Sequence, residues 1–261
     1  MNLNTLRQVN PLVVCQTNSV VTHMTANHLI ALGASPVMSE APNEQHEMLQ
    51  YAHALLINIG TLNDQKLEYM HHAMKIANEL EILIILDPVG AGATSYRTKT
   101  VLNMIDKYKI AVLKGNFGEI ASLVGASEAM KGVDSQFDGS EDDLIAIAKK
   151  AHDMFSCNIV ITGERDIIYT SDKYETYTSG TVLFTKMTGA GCVLGSIIGA
   201  MYSPMDSFES IKYALLTYHT AGMNAEEIVT LDRPGAFQVE LLNQLHHVSD
   251  EEVRVLFDDR A

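Results

Sequence analysis

The residues most suggestive of chemistry form a glycine-rich segment at 188–195, Thr-Gly-Ala-Gly-Cys-Val-Leu-Gly, which is followed at once by an apolar run. Gly189 and Gly191, on either side of Ala190, permit a tight turn, and the N–H groups that open the next helix can then converge on an anion. The segment therefore predicts a site for a phosphate or for developing negative charge. Cys192 would lie in that positive helix end, where the pKa of a thiol tends to fall. A tight loop with Cys192 as a small apolar filler explains the same residues equally well.

A second group of residues could hold a hard cation. Asp87 ends an apolar run, and Asn116 and Glu119 lie three residues apart in segment 114–119, Lys-Gly-Asn-Phe-Gly-Glu. Mg²⁺ prefers oxygen ligands and is often shared between a protein carboxylate and substrate phosphates. Each residue also has a structural explanation, because Asp-Pro can begin a turn and a carboxylate in the first turn of a helix is favoured by the helix dipole. Lys114 could neutralise a phosphate or make an ordinary salt bridge.

Composition and missing motifs exclude several classes of protein. The chain has 261 residues with 18 Lys and Arg against 32 Asp and Glu, a net charge of −14 that argues against a general nucleic-acid binder. Its three cysteines are too few for a disulfide framework and lack the spacing of a zinc site. There is no Gly-x-x-x-x-Gly-Lys-Ser/Thr, which excludes a P-loop, and no Gly-x-Ser-x-Gly, which weakens the case for a serine hydrolase.

The chain also lacks the signals of membrane insertion or export. No apolar stretch approaches the roughly 20 residues that cross a bilayer, and residues 1–11 do not resemble a signal peptide. These features predict a cytoplasmic protein that contacts neither nucleic acid nor membrane.

The hydrophobic pattern predicts an α/β fold. Continuous Val, Ile and Leu runs are typical of strands buried on both faces of a parallel sheet, and the amphipathic stretches between them predict helices on both faces. The predicted strands are 12–15, 54–59, 82–87, 111–114 and 158–162, and the predicted helices are 22–32, 64–80 and 141–155. Nearly every segment that follows a strand is polar or glycine-rich, which favours a ligand site beyond the carboxyl ends of the strands.

The pattern changes after Thr162. Residues 166–170, 173–178 and 181–186 are predicted as short strands that add an antiparallel edge to the sheet. The last third is predicted as helices at 189–201, 207–228 and 237–245, with a short helix from Asp250. Segment 132–140 is the most loop-like polar stretch, and no linker separates two halves, so we expect one domain over residues 1–261.

Seven short segments, spread over nearly the whole chain, form a combined pattern. They are Thr17-Asn18, Ala-Leu-Gly-Ala-Ser-Pro-Val-Met at 31–38, Asn-Ile-Gly-Thr-Leu at 58–62, Asp-Pro-Val-Gly-Ala-Gly-Ala at 87–93, Gly115-Asn116 with Glu119, Gly-Val-Asp-Ser at 132–135, and Thr-Gly-Ala-Gly-Cys at 188–192. With this pattern the chain resembles the hydroxyethylthiazole kinases, a family of the ribokinase-like superfamily. The resemblance implies a ribokinase-like fold and transfer of the γ-phosphoryl group of ATP, with Mg²⁺, to the primary alcohol of 5-(2-hydroxyethyl)-4-methylthiazole, a salvage step in thiamine synthesis.

The resemblance also implies roles for the residues that contact the acceptor alcohol. Asn18, Met38 and the backbone of Gly189 would contact the thiazole, and the turn 189–192 would be the anion hole. Family members are homotrimers with active sites shared between neighbouring subunits, so we expect the same assembly here.

The remaining roles implied by the resemblance concern the nucleotide and its metal. Lys114, Asn116 and Thr162 would lie along ATP, while Asp87 and Glu119 would organise Mg²⁺ and its waters.

Two positions depart from the pattern of the superfamily. Relatives usually carry Arg where this chain has Lys114, which keeps the charge but loses a bidentate contact. Most ribokinase-like enzymes have an Asp base where Cys192 stands. We hypothesise that Cys192 assists deprotonation of the alcohol while the backbone turn provides most of the stabilisation.

Three other functions are open at this point. A related kinase of the same fold could act on a hydroxymethyl-pyrimidine or pyridoxal-type alcohol, because Asn18 and Met38 discriminate weakly between such acceptors. The missing Asp base also allows a non-catalytic nucleotide-binding or regulatory domain. An ATP-dependent dehydratase on the same scaffold is disfavoured, because its glycine turn normally ends in Asp.

Overall fold

One eight-stranded sheet runs through the chain, whose computed structural model describes residues 1–126 and 140–258. Motif 132–135 and most of the predicted loop 132–140 therefore lie outside the described residues. The strands are β1 (Leu12–Gln16), β2 (Ser35–Val37), β3 (Ala54–Asn58), β4 (Leu83–Asp87), β5 (Val112–Asn116), β6 (Asn158–Thr162), β7 (Asp166–Tyr169) and β8 (Tyr174–Tyr177).

The strand order confirms the predicted α/β architecture. In the order β2-β1-β3-β4-β5-β6-β7-β8, the strands from β2 to β6 are parallel, and β7 and β8 are antiparallel at one edge. The five strands predicted as buried begin and end within two residues of their predicted bounds. Their apolar runs are explained by burial on both faces, since all five residues of β3 are buried.

Helices cover both faces of the sheet. They are α1 (Leu3–Val9), α2 (Thr22–Leu32), α3 (Gln45–Leu49), α4 (Asp64–Glu79), α5 (Ser95–Lys107), α6 (Phe117–Leu123), α7 (Glu141–Phe155), α8 (Ala190–Met201), α9 (Ser207–Ile228), α10 (Pro234–His247) and α11 (Asp250–Asp258). One hydrophobic cluster lies between the sheet and the layer of α1, α2 and α8–α11, and a second lies beneath α3–α7. None of the helices in the described ranges combines the length and apolar content needed to cross a membrane.

Helix ends follow the capping residues that the sequence contains. Asn63 accepts a hydrogen bond from the N–H of Lys66 at the start of α4, and Ser140 accepts one from Asp143 at the start of α7, as predicted. Gly33 ends α2 in the left-handed region with φ 108°, where it provides the predicted C-cap.

The prediction of a third edge strand at 181–186 is wrong. Val182–Lys186 is a short 3₁₀ helix, and the Thr181 hydroxyl caps it by accepting a hydrogen bond from the N–H of Leu183. Leu183 is fully buried and the next residue, Phe184, stacks on Tyr218 of α9. Two consecutive residues therefore face the same hydrophobic cluster, which the alternation of a strand does not allow.

Helix α8 packs closely on the sheet and begins near the carboxyl ends of its parallel strands. Ten of its twelve residues are buried, and its glycines allow close packing on the sheet. A Cβ atom at Gly199 would lie 3.5 Å from Ile85 in the middle of β4, whereas one at Gly195 would lie 3.8 Å from Asp87 Oδ2 at the end of that strand. The helix thus runs opposite to the parallel strands, with its amino end at their carboxyl ends.

Candidate active site

The glycine turn before α8 adopts a conformation that requires glycine. Gly189 has φ 88°, and a Cβ atom there would lie 2.4 Å from both Met24 Cε and Val21 Cγ1. The helix begins at Ala190 without a side-chain cap, and its first N–H groups have no acceptor within the helix. The predicted tight turn before a helix is thus present, and the anion site at its N–H groups stays a prediction.

Lys114 places a positive charge against this helix end. Its side chain is 4% exposed, and its Nζ lies 3.3 Å from the position that a Cβ atom at Gly191 would occupy. Burial lowers the pKa of the ammonium, but Asp87, Cys192 and Glu119 outweigh it and raise the pKa above its usual value. The lysine is therefore charged at neutral pH, so that an ammonium and a helix amino end converge on one volume and create a positive potential.

Asp87 is a buried carboxylate with one oxygen held and the other available. Its Oδ2 accepts a hydrogen bond of 3.0 Å from Asn58 Nδ2 and lies 3.5 Å from Lys114 Nζ. Its buried Oδ1 has no hydrogen-bond partner among the described residues. Burial raises the pKa of Asp87 to about 6, against the opposing effect of Lys114. An unpaired carboxylate oxygen in such surroundings gains from a cation.

Asn18 lies between the glycine turn and the strands. Its Nδ2 donates to Asn58 Oδ1 at 2.8 Å and to Cys192 Sγ at 3.7 Å. A Cβ atom at Gly60 would lie 2.6 Å from Asn18 Nδ2, so the glycine is required for the amide to fit. The structure therefore brings Asn18, Asp87, Lys114 and the turn 189–192 together.

The expectation of a lowered pKa for Cys192 is wrong. Burial raises the pKa of this thiol above its usual value, and the charge of Asp87 raises it further. Lys114 and the amides of Asn58 and Asn18 act in the opposite direction without reversing the shift. The helix end alone does not produce a thiolate, because burial of the thiol removes it from water.

Glu119 and Asn116 form a capping box at the amino end of α6, so Glu119 lies in the first turn of a helix, as the structural explanation of this residue requires. The Asn116 side chain accepts from Glu119 N, and Glu119 Oε2 accepts from Asn116 N, both at 2.8 Å. The other oxygen, Glu119 Oε1, accepts from Gly90 N at 2.8 Å. Glu119 is near enough to Asp87 to raise the pKa of that carboxyl.

Met38 and Thr162 lie at the margins of this group. Met38 follows β2 at the sheet edge, half-buried against the hydrophobic cluster beneath α8. Thr162 ends β6 opposite Asn116 of β5, and its hydroxyl lies 3.5 Å from Gly115 O. Thr162 lies at the carboxyl end of its strand, as predicted, whereas Met38 follows a strand that was not predicted. Both residues lie outside the hydrogen-bonded network of Asn18 and Asp87.

Comparison with known proteins decides the family. A sequence model of the hydroxyethylthiazole kinase family matches residues 3–251. The chain belongs to the hydroxyethylthiazole kinase family. Hydroxyethylthiazole kinase 1 of Streptococcus pneumoniae (strain CGSP14) is 42% identical over 255 residues, 97% of this chain and 97% of its own length.

Solved structures agree with this membership of the hydroxyethylthiazole kinase family. The hydroxyethylthiazole kinase from Pyrococcus horikoshii OT3 is 36% identical with a TM-score of 0.87, covering 97% of this chain and 94% of that one. A ribokinase-like superfamily protein from Enterococcus faecalis, 14% identical with a TM-score of 0.65 over 95% of each chain, has the same fold. The predicted family and the predicted ribokinase-like fold are both confirmed.

Asn58 is a residue of this candidate site for which the sequence predicts no role. The predicted strand 54–59 placed Asn58 inside the strand, whereas β3 ends at this residue. The signal was an amide side chain in an otherwise apolar run, Ala-Leu-Leu-Ile-Asn. A buried amide must be hydrogen-bonded, and at a carboxyl strand end its partners are site residues.

Proposed function

We propose that the site transfers the γ-phosphoryl group of ATP to the primary alcohol of 5-(2-hydroxyethyl)-4-methylthiazole. Membership of the family supports a kinase that uses ATP with a divalent metal. The observation that carries the proposal is the convergence of Lys114 Nζ and the amino end of α8 beside Asp87 and Asn18. Phosphoryl transfer depends mainly on positioning and charge stabilisation, and these are the contributions that such groups provide.

The phosphate end of the site is the volume in front of α8. The N–H groups of residues 190–192 and the Lys114 ammonium would stabilise negative charge on the transferred group. Thr162 and Asn116, on adjacent strands β6 and β5, would bind the remainder of the nucleotide. Each is a polar side chain at the carboxyl end of a parallel strand, where nucleotides bind in this class of sheet.

We propose Mg²⁺ as the divalent metal, with Asp87 and Glu119 as the protein carboxylates. The unpartnered Oδ1 of Asp87 fits a cation, because a buried carboxylate oxygen without a donor is destabilised. In the described ranges no cluster of three or more His, Cys, Asp and Glu could hold a metal, so phosphate and water would complete the coordination, as Mg²⁺ tolerates. When bound, the metal neutralises charge on the phosphate oxygens.

The acceptor end of the site comprises Asn18, Met38, Gly189 and Cys192. Asn18 and the backbone at Gly189 would hold the thiazole, and Met38 would pack against the ring. Cys192 would lie by the acceptor hydroxyl, and its thiolate form, which the raised pKa of the thiol makes scarce at neutral pH, would accept the hydroxyl proton. The backbone N–H groups of the turn would then provide the larger share of the stabilisation of the transition state.

We also propose a cytoplasmic homotrimer with sites shared between subunits. Val20, two residues beyond Asn18, is an aliphatic side chain that is 65% exposed. In the proposed trimer this side chain would lie against the neighbouring subunit.

One assay tests the function. ATP consumption is measured with and without 5-(2-hydroxyethyl)-4-methylthiazole, and the product is identified by mass spectrometry. We expect consumption that depends on the thiazole and a product heavier by one phosphoryl group, with Asp87→Asn as the inactive control. Equal or greater turnover of a hydroxymethyl-pyrimidine or pyridoxal would favour the related kinase, and ATP binding without product would favour a non-catalytic domain.

A further inference from the structure

Asn58 touches both ends of the proposed site. It is fully buried, with 0% of its surface exposed, and it ends β3 directly opposite Asp87 of β4. Its Nδ2 donates to Asp87 Oδ2 at 3.0 Å, while its Oδ1 accepts from Asn18 Nδ2 at 2.8 Å and from Gly60 N at 3.0 Å. One side chain therefore joins the residue proposed for the metal to a residue proposed for the thiazole.

Backbone groups fix the orientation of this amide. The N–H of Gly60 can only donate, so the Asn58 atom that faces it must be the oxygen, and the nitrogen must face Asp87. The same logic fixes Asn18, whose Oδ1 accepts from the N–H groups of Val20 and Val21. The Asn18 nitrogen is thereby directed at Asn58, and neither amide can reverse without losing hydrogen bonds to the backbone.

This orientation determines which atoms stay available for ligands. Because Asn58 holds Oδ2 of Asp87, the second oxygen of that carboxylate is the one without a partner. Because Asn58 accepts one hydrogen of the Asn18 amide, the other hydrogen is left for the Cys192 thiol and the acceptor. Buried and fully connected polar networks of this kind specify a single arrangement.

We propose that Asn58 is a positioning residue that sets the phosphate end and the acceptor end of the site together, through Asp87 and Asn18. The proposal rests on the proposed function. It requires that the contacts of Asn58 with Asp87 and with Asn18 can be removed separately, with effects that fall on different ligands. The effect of the Asn58 amide on the Cys192 thiol is lost in both variants, so the binding constants rather than kcat separate the two contacts.

Two near-isosteric substitutions separate the contacts. Asn58→Asp keeps the oxygen that faces Asn18 and Gly60 but replaces the amide donor to Asp87 with a carboxyl oxygen, which adds negative charge beside Asp87 when it is ionised. Asn58→Leu removes both contacts. The matched control is Asn158→Asp at the amino end of β6, which also removes amide donors, to Ala111 O and Tyr202 OH, but at the opposite end of the sheet.

The readouts are kcat, the Kd of 5-(2-hydroxyethyl)-4-methylthiazole without nucleotide, and the Kd of Mg²⁺-ADP, the last two by isothermal titration calorimetry. Loss of a hydrogen bond to a charged group, together with a second carboxyl group beside Asp87, predicts that Asn58→Asp lowers kcat by about 10- to 100-fold and weakens Mg²⁺-ADP binding by about tenfold. The Kd of the thiazole is expected to stay within about threefold of wild type. Asn58→Leu is expected to weaken the thiazole by about tenfold as well. The Asn158→Asp protein is expected to keep all three constants.

Circular dichroism and thermal unfolding confirm that each variant is folded. If Asn58→Leu does not fold, Asn58→Ser replaces it, since serine also fails to reach Asn18. The proposal is overturned if folded Asn58→Asp has wild-type kcat and Mg²⁺-ADP affinity, or if it weakens the thiazole as much as Asn58→Leu does. Failure of the proposed function looks different, since the wild-type protein would then neither bind nor phosphorylate the thiazole, while Mg²⁺-ADP titration would still decide the contact with Asp87.

Discussion

At the scale of single residues, the surroundings of Cys192 limit how much it can contribute as a base. A general base is worth about 10²–10⁴-fold when its pKa lies near the working pH. Burial and Asp87 hold the pKa of the Cys192 thiol above its usual value, so little thiolate is present at neutral pH. The backbone N–H groups of the turn act at any such pH, because they do not titrate.

We therefore expect Cys192→Ser to lower the single-turnover rate by about 10²-fold or less and to leave measurable activity. Cys192→Asp is expected to remain active, because a carboxylate base suits the same position. Rapid-quench measurement of phosphorylated thiazole in one turnover checks both variants. An unchanged rate in Cys192→Ser would show that the thiol takes no part in proton transfer, and a folded but inactive Cys192→Asp would contradict the idea of an exchangeable base.

The buried pair of Lys114 and Asp87 supports a prediction on stability as well as on activity. Removing one member of a buried ion pair costs about 3 kcal/mol or more, because the other charge is left without compensation. Lys114→Met should lower the free energy of unfolding by about that amount and raise the KM for ATP at least about tenfold. The double variant Lys114→Met with Asp87→Asn should recover part of the lost stability but none of the activity. Urea unfolding and steady-state kinetics measure the two effects, and a double variant less stable than Lys114→Met would contradict the account.

Residue types and spacing were sufficient to find most residues of the candidate active site but not the hydrogen bonds among them. The glycine turn, Asp87, Lys114 and Asn18 each follow a strand or precede a helix, which is why sequence patterns could place them at one edge of the sheet. The raised pKa of Cys192 and the bridge through Asn58 depend on distances across β3, β4 and α8, which spacing along the chain does not contain.

At the scale of elements, Asp250 links the two ends of the described chain. Its carboxylate accepts hydrogen bonds from the N–H groups of Leu3 and Asn4 at the start of α1 and from the Tyr213 hydroxyl of α9. Burial raises the pKa of Asp250, but these donors outweigh it and lower the pKa below its usual value. A carboxylate whose pKa is lower in the folded than in the unfolded protein stabilises the fold above the unfolded pKa, about 3.9, and loses this effect as pH falls through the folded pKa.

Asp250→Asn should therefore destabilise the protein most near neutral pH, by about 1 kcal/mol after allowance for solvent screening. The difference from wild type should shrink as the pH falls below about 4, where the wild-type carboxyl takes up its proton. Urea unfolding at a series of pH values measures this difference, with Asp153→Asn, whose ion pair with Lys149 is exposed, as the control. If the loss in free energy of unfolding does not depend on pH, the shape of the Asp250 side chain rather than its charge stabilises the fold.

Elements with strong local signals were predictable, and those held by distant contacts were not. Helices α2, α7 and α9 match their predicted bounds, and each is eleven or more residues long. Helix α1 has only seven residues, and its position is fixed by Asp250 and by Arg7, whose guanidinium donates to Val248 O beyond α10. Such partners lie more than 240 residues away in sequence, so no local pattern contains them.

At the scale of the whole molecule, charge and exposed apolar surface bear on assembly. Each chain carries a net charge of −14, so copies repel one another at low ionic strength. Val20 by the site and Ile30 on α2 are 65% and 60% exposed, and they offer apolar surface that association can bury. Association driven by such contacts against charge repulsion should strengthen with salt, because screening weakens only the repulsion.

We expect light scattering to give the mass of three 28.6 kDa chains at physiological salt and a smaller mass at low salt and high dilution. Val20→Glu should dissociate the trimer and lower activity with it, because a buried carboxylate without a partner opposes association. Met205→Glu adds the same charge at a side chain that is 98% exposed, beyond the carboxyl end of α8 and therefore at the opposite end of the sheet, and it should change neither property. A monomer that retains full activity would mean that each chain completes its own site, since shared sites require activity to fall in parallel with the fraction of trimer.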